Sequence, residues 1–190
     1  MWMMQSFAQV PLESLREMFA DSAVSIECDY STQVQNTTVV GHSQLIVQAD
    51  MYVMHGNGLE IYCDGKTTWT IDVSAKEVII EPCDAAGREY AANPVLVLAD
   101  MDKLFKVRSS SALEAGKVSY SLDAVIQCGV SEAEVVLSGN GAVTRADFIL
   151  DDGSVLEVQV SSMKKTEEKQ ASFFSPDRRF GSDWIVTDLR

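Results

Sequence analysis

The chain has 190 residues, 46% hydrophobic and 23% charged, which suits one globular domain and excludes collagen-like, low-complexity and largely disordered classes. No stretch approaches the roughly 18 uncharged apolar residues of a membrane-spanning helix. Against 15 basic side chains stand 28 acidic ones, and the net charge of −13 repels phosphate backbones and anionic headgroups, so nucleic acid is excluded as a partner.

Residues 1–10 end their first stretch in Ser6-x-Ala8, a small-x-small pattern of the kind found at export cleavage sites, but without a basic leader. They read as a signal remnant or as a disordered N-terminus, leaving 11–190 as one domain. Residues 11–22 predict a helix. Pro11 suits a first turn, and Leu12, Leu15, Met18 and Phe19 share one face.

From Ala23 the period becomes two. Val24, Ile26, Cys28 and Tyr30 alternate with polar residues, and Val39–Gln48, Met51–Met54, Leu59–Cys63, Thr67–Asp72 and Glu77–Glu81 follow as strands. The tight turns His55-Gly56-Asn57-Gly58 and Asp64-Gly65 make this an antiparallel meander. A polar connection, 84–93, leads to Pro94 and a predicted helix over Val95–Val107. Strands resume at Val118–Leu122, Val125–Cys128, Ala133–Leu137, Ala142–Leu150 and Val155–Ser161, with two more around Gln170–Phe174 and Trp184–Leu189.

The fold class that follows is mainly β with an α lid (α+β). A twisted sheet of roughly ten strands curls, giving a curved, antiparallel, half-open β-barrel with helices plugging its concave face. A space between helices and sheet is a common place for a ligand.

Catalytic chemistry is thinly represented. Gly41-His42-Ser43 lacks the second glycine and the following helix of a nucleophile elbow. Cys28, His42, His55 and Cys63 lack paired metal-ligand spacing, and Asp100-x-Asp102 lacks the rest of a calcium loop. No phosphate-cradling glycine motif occurs. We therefore expect no catalytic set, no metal and no cofactor. Cys28, Cys63, Cys83 and Cys128 allow three pairings into two bridges if the chain is exported, and otherwise serve as small buried hydrophobes.

The segment Leu59–Pro94 carries a resemblance. Asp64-Gly65-Lys66 ends a strand, Trp69 follows on the next, and Asn93-Pro94 opens a helix. Gly41-x-x-x-Leu45-x-Val47 and the tail Phe173-Phe174-Ser175-Pro176 with Asp183 and Asp188 add to it in the same order. Together these pieces resemble the periplasmic outer-membrane lipoprotein carrier family (LolA-like proteins). Where members often carry a basic residue and proline before the third strand, this chain has Gln48-Ala49-Asp50.

The resemblance implies a non-enzymatic, monomeric carrier in the periplasm. Its partners would be lipoprotein acyl chains or other lipid, with an inner-membrane exporter and an outer-membrane acceptor at either end of the journey. The expected cavity is lined by Val24, Ile26, Leu45, Val47, Met51, Val53, Leu59, Ile61, Trp69 and Ile71, under a helical lid of Leu96, Met101, Leu104 and Phe105. The alternative is an envelope-stress sensing or scaffold module of similar fold that binds a protein partner.

Overall fold

The computed structural model describes residues 15, 17–19, 22–34, 37–83, 97, 100–176 and 180–190; residues 1–10, the connection 84–93 and Leu96 lie outside them. Six strands, β1 (Ala23–Val34), β2 (Thr37–Gln48), β3 (Met51–Gly56), β4 (Leu59–Cys63), β5 (Thr67–Asp72) and β6 (Glu77–Pro82), form a first antiparallel meander. A second comprises β7 (Phe105–Ala112), β8 (Val118–Ala124), β9 (Val130–Leu137), β10 (Val143–Leu150) and β11 (Val155–Thr166). The long strands β1 and β11 pair antiparallel and fuse the two meanders into one 12-stranded sheet. The last strand, β12 (Ile185–Asp188), adds parallel to β6. The result is the half-open β-barrel expected from the alternating pattern.

Register follows from turn chemistry. Between β3 and β4, Asn57 and Gly58 both take positive φ (52° and 81°), the geometry whose twist matches a two-residue hairpin, and Gly56 lies opposite Leu59. Ala49 and Asp50 join β2 to β3 in the same two-residue fashion, which sets Gln48 opposite Met51 and Val47 opposite Tyr52. Between Glu27 and Cys28 the β1–β11 register slips by one residue, and the hydroxyl of the extra residue, Ser161, donates to the Glu27 carbonyl at 3.0 Å. A bulge of this kind bends and further twists the seam where the two meanders meet.

The main core lies on one face, here called inner. Val24, Ile26, Leu45, Val47, Tyr52, Cys63, Leu122, Ala133, Val135, Ala146, Phe148 and Val158 bury there against Leu15, Phe19, Val97, Met101 and Leu104. Leu15 and residues 17–19 are helical, as the period over 11–22 predicts.

Three local expectations change. The helix predicted over Val95–Val107 gives way at Phe105: only Met101–Leu104 is an α-helix within 100–107, and β7 begins at once. Phe105 and Val107 lie opposite Ala124 and Leu122, so period-two pairing onto an apolar strand outweighs the helical spacing of Leu104 and Phe105. Val125–Cys128 is not a strand. The Val125 amide donates to the Leu104 carbonyl at 2.8 Å, one bond beyond the Phe105–Ala124 pair, and from there the chain bends until β9 begins. Gln170–Phe174 contains a 3-10 turn, Ala171–Phe174, and β11 instead runs on to Thr166 because β1 remains beside it.

Candidate functional site

The inner face brings together part of the expected cavity. Val24 and Ile26 on β1 sit opposite Val47 and Leu45 on β2, all four buried. On β4, Leu59 and Ile61 share this face half-buried, Ile61 lying opposite Met54. Met101, Leu104 and Phe105 are buried in the same cluster, Phe105 from β7 and not from a helix. The space over these strands is taken up by the helical side chains of Leu15, Phe19, Val97, Met101 and Leu104, each no more than 3% exposed. The plug predicted for the concave face is thus seated in contact with the sheet.

Met51, Val53, Trp69 and Ile71 are not brought to that surface. Because Gln48 pairs with Met51 and Val47 with Tyr52, β3 turns Tyr52 and Met54 inward and Met51 and Val53 outward. Trp69 lies opposite Tyr62 and Ile71 opposite Glu60, again on the outer face. There Ile71, Val78 and Ile80 make a second, smaller core with Tyr62, Trp69, Phe180 and Trp184.

The C-terminal segment supplies that outer cover. After β11 it is tied to β2 by the Gln48 side chain, whose amide donates to the Lys169 carbonyl at 3.1 Å while its oxygen accepts from the Lys169 amide at 2.7 Å. Further on, Asp183 pairs with Lys76 at 2.7 Å, and the Ile185 amide donates to the Lys76 carbonyl at 2.9 Å. Between this strap and the sheet runs an open groove of about 1000 Å³ lined by Val53, His55, Tyr62, Lys169, Phe173 and Pro176. A neighbouring hollow of about 280 Å³ shares Val53, His55 and Phe173.

Tyr52, Met54, Leu122 and Phe148 are inner-face residues absent from the sequence-based set. Counting alternation through the two-residue turn after Gln48 finds the first two, because Tyr52 and Met54 must face the same way as Val47 and Leu45. Phe173 and Lys169 had no such signal. Their place depends on a crossover that no local periodicity encodes.

Electrostatics separate the faces as well. His42 points outward, its Nδ1 2.9 Å from Asp29 Oδ1 and its Nε2 3.5 Å from Glu27 Oε1. Ser43, its neighbour in sequence, is buried on the inner face, so the two do not form a nucleophile–base pair. On the inner face, burial above all, with the Asp29 charge adding to it, pushes the Cys28 thiol up to about 11. Burial likewise pushes Cys63 up to about 12, with its contact to Cys83 next in weight. Both act as apolar, protonated surface. Among the described residues no three His, Cys, Asp or Glu side chains are grouped to hold a metal ion, and no helix is long and apolar enough to cross a membrane. What the inner face offers chemically is desolvation: it rewards the burial of hydrocarbon.

No protein-family model and no curated protein matches this sequence. Solved structures do match the fold. An uncharacterized conserved protein from Thermus thermophilus superposes with a TM-score of 0.59 at 12% identity, over 95% of this chain and 98% of that one. A DUF1329 family protein from Desulfovibrio piger gives 0.53 at 8% identity, over 88% and 95%. A LolA superfamily protein from Nitrosomonas europaea gives 0.50 at 14% identity, over 90% and 98%. At such identities the likeness is one of architecture, and it agrees with the sheet order, the inner core and the helical cover described above: this chain has the LolA-like fold.

Proposed function

We propose that the protein is a periplasmic, non-enzymatic carrier that takes up the acyl chains of lipoproteins, or of other lipids, on its inner face for delivery to the outer membrane. The observation that carries this reading is the nature of the cover. The apolar inner face spans both meanders, yet among the described residues what lies over it is a set of helical side chains and not a second sheet held by a hydrogen-bonded ladder.

The magnitudes suit reversible exchange. Burying hydrocarbon is worth about 0.8 kcal/mol per CH₂, so a chain of a dozen carbons gains roughly 10 kcal/mol. Displacing Leu15, Phe19, Val97, Met101 and Leu104 forfeits about 1.5–3 kcal/mol for each side chain left exposed, a similar total. Neither state wins by much. An exporter that favours the open form and an acceptor that favours the closed one could then load and unload the protein without chemistry.

A dansyl-labelled fatty acid tests the reading. We expect saturable fluorescence enhancement with one site per chain, at least tenfold weaker binding in Ile61→Asp, and unchanged binding in Phe173→Ala, which alters only the outer groove. Lipid extraction and mass spectrometry of protein purified from the periplasm should find acyl ligands. Absence of both probe binding and bound lipid would sink the proposal.

A further inference from the structure

The four cysteines are thiols in this structure, and two of them meet. Cys63 ends β4 and is fully buried; Cys83 follows β6 and is partly exposed. The Cys63 thiol donates to Cys83 Sγ at 3.2 Å across a separation of 20 residues. Neither backbone is free to drift. Cys63 is paired with Thr68 in the β4–β5 ladder, and the Cys83 amide donates to the Lys66 carbonyl at 2.7 Å. The sulfurs need to close by only about 1 Å to reach the bonded separation of about 2.05 Å. Cys28 and Cys128 are engaged differently, with Cys128 donating to the Val130 carbonyl at 3.4 Å.

We infer that Cys63 and Cys83 are a disulfide site, one of the six cysteine pairs the sequence offers, and that the bond staples the end of β4 to the exit of β6. Fourteen residues beyond Cys83 the chain contributes Val97 to the inner core. The staple therefore fixes the point from which the chain runs on to the helical cover.

The chemistry balances with a disulfide-bearing oxidant as electron acceptor. The partly exposed Cys83, as thiolate, attacks one sulfur of that disulfide, forming a mixed disulfide and releasing the first donor thiolate. Cys63 gives up its proton and attacks Cys83 Sγ, releasing the second donor thiolate. Two protein thiols become one S–S bond, and the donor disulfide is reduced to two thiols. Burial, which holds the Cys63 thiol up at about 12, keeps it from the first attack, and its part in the second rests on proximity, with Cys83 Sγ 3.2 Å away.

This inference rests on the periplasmic reading only for its oxidising compartment, since such bonds are rare among reducing thiols. The bond itself is read in purified full-length protein, so a failed acyl-binding assay leaves it standing. After incubation with oxidised glutathione, removal of the excess and alkylation under denaturing conditions, we expect two alkylated cysteines, rising to four after reduction. Tryptic digestion should join the peptide 17–66 to the peptide 77–88. Because Cys28 shares the first peptide, the link must survive in Cys28→Ser and disappear in Cys63→Ser. We also expect the oxidised protein to melt higher than the reduced one, on the order of 5–10 °C for a loop of this length in a domain of this size. Four alkylated cysteines in the oxidised sample, or a bridge retained in Cys63→Ser, would overturn the assignment.

Discussion

The two faces of the sheet solve the same problem differently. The inner face runs apolar from β4 through β1 and β11 to β8 and is sealed by helical side chains. The outer face divides. Beside β6 it is apolar, with Trp69, Ile71, Val78 and Ile80 capped by Phe180 and Trp184 from the C-terminal strap. Across β7 to β10 it is charged, with Arg108 bonded to Asp123 and Glu132 at 2.9 and 3.0 Å and Arg145 to Asp147 at 2.6 Å. Those ion pairs are exposed and contribute little stability, so that half needs no cover. The contrast teaches which cover is which. The strap ends as a strand in the ladder of β6, a fixture of the sheet, whereas the helical pieces cover the inner face with apolar side chains that an acyl chain can replace, tied by single backbone bonds from Ala49 to Phe19 and from Val125 to Leu104.

The comparison breaks most sharply at Phe148. This ring is 1% exposed on β10, inside the inner core, and Phe148→Ala should cost about 3–5 kcal/mol. Urea unfolding should show a lower midpoint in a single transition. Trp184→Ala removes a half-buried indole that meets the Phe180 ring edge-on at 5.2 Å, and it should cost about 1–2 kcal/mol. Its signature should be faster proteolysis within 180–190 with the main transition nearly unmoved. If Trp184→Ala shifts that transition as far as Phe148→Ala does, the outer core is not a separate cover but part of one cooperative whole.

Much of this was legible in the sequence. Strict alternation from Val24 to Tyr30 and around Leu45 and Val47 places the first strands and their inward residues, because one side of the sheet is buried and the other is not. Errors arose where apolar residues occur on both faces. Met51, Val53, Trp69 and Ile71 look like cavity lining by type, and only register, carried through the turn at Ala49-Asp50, turns them outward. The boundary at Phe105 was illegible for another reason: Met101, Leu104 and Phe105 fit a helix locally, and the choice is made by a partner strand more than a dozen residues away. The Cys63–Cys83 contact is of the same non-local kind, created by two hairpins and invisible in cysteine spacing.

The smallest expected effect lies at the strap's far end and asks how firmly β12 is fixed. Asp188 closes that strand, and its carboxylate accepts from Arg190 Nε at 2.9 Å, a guanidinium nitrogen at 2.6 Å and the Arg190 amide at 3.1 Å. The Arg190 side chain first, and its backbone amide next, hold the carboxyl down at about 2, against an ordinary 3.8. With the folded value depressed, its contribution is complete above the unfolded value and is lost as pH falls through about 2. The Asp188 carboxyl signal should therefore titrate near 2 by NMR, and in Arg190→Ala its midpoint should move toward 3.8. Protection of the Leu189 amide, which donates to the Ile80 carbonyl at 2.8 Å, should then fade at a higher pH than in the wild type. A midpoint that stays put would mean that the Arg190 side chain does not hold Asp188 in solution. The strand would then owe its place to its ladder with β6, to the Asp183–Lys76 pair and to the packing of Phe180 and Trp184 on the outer core.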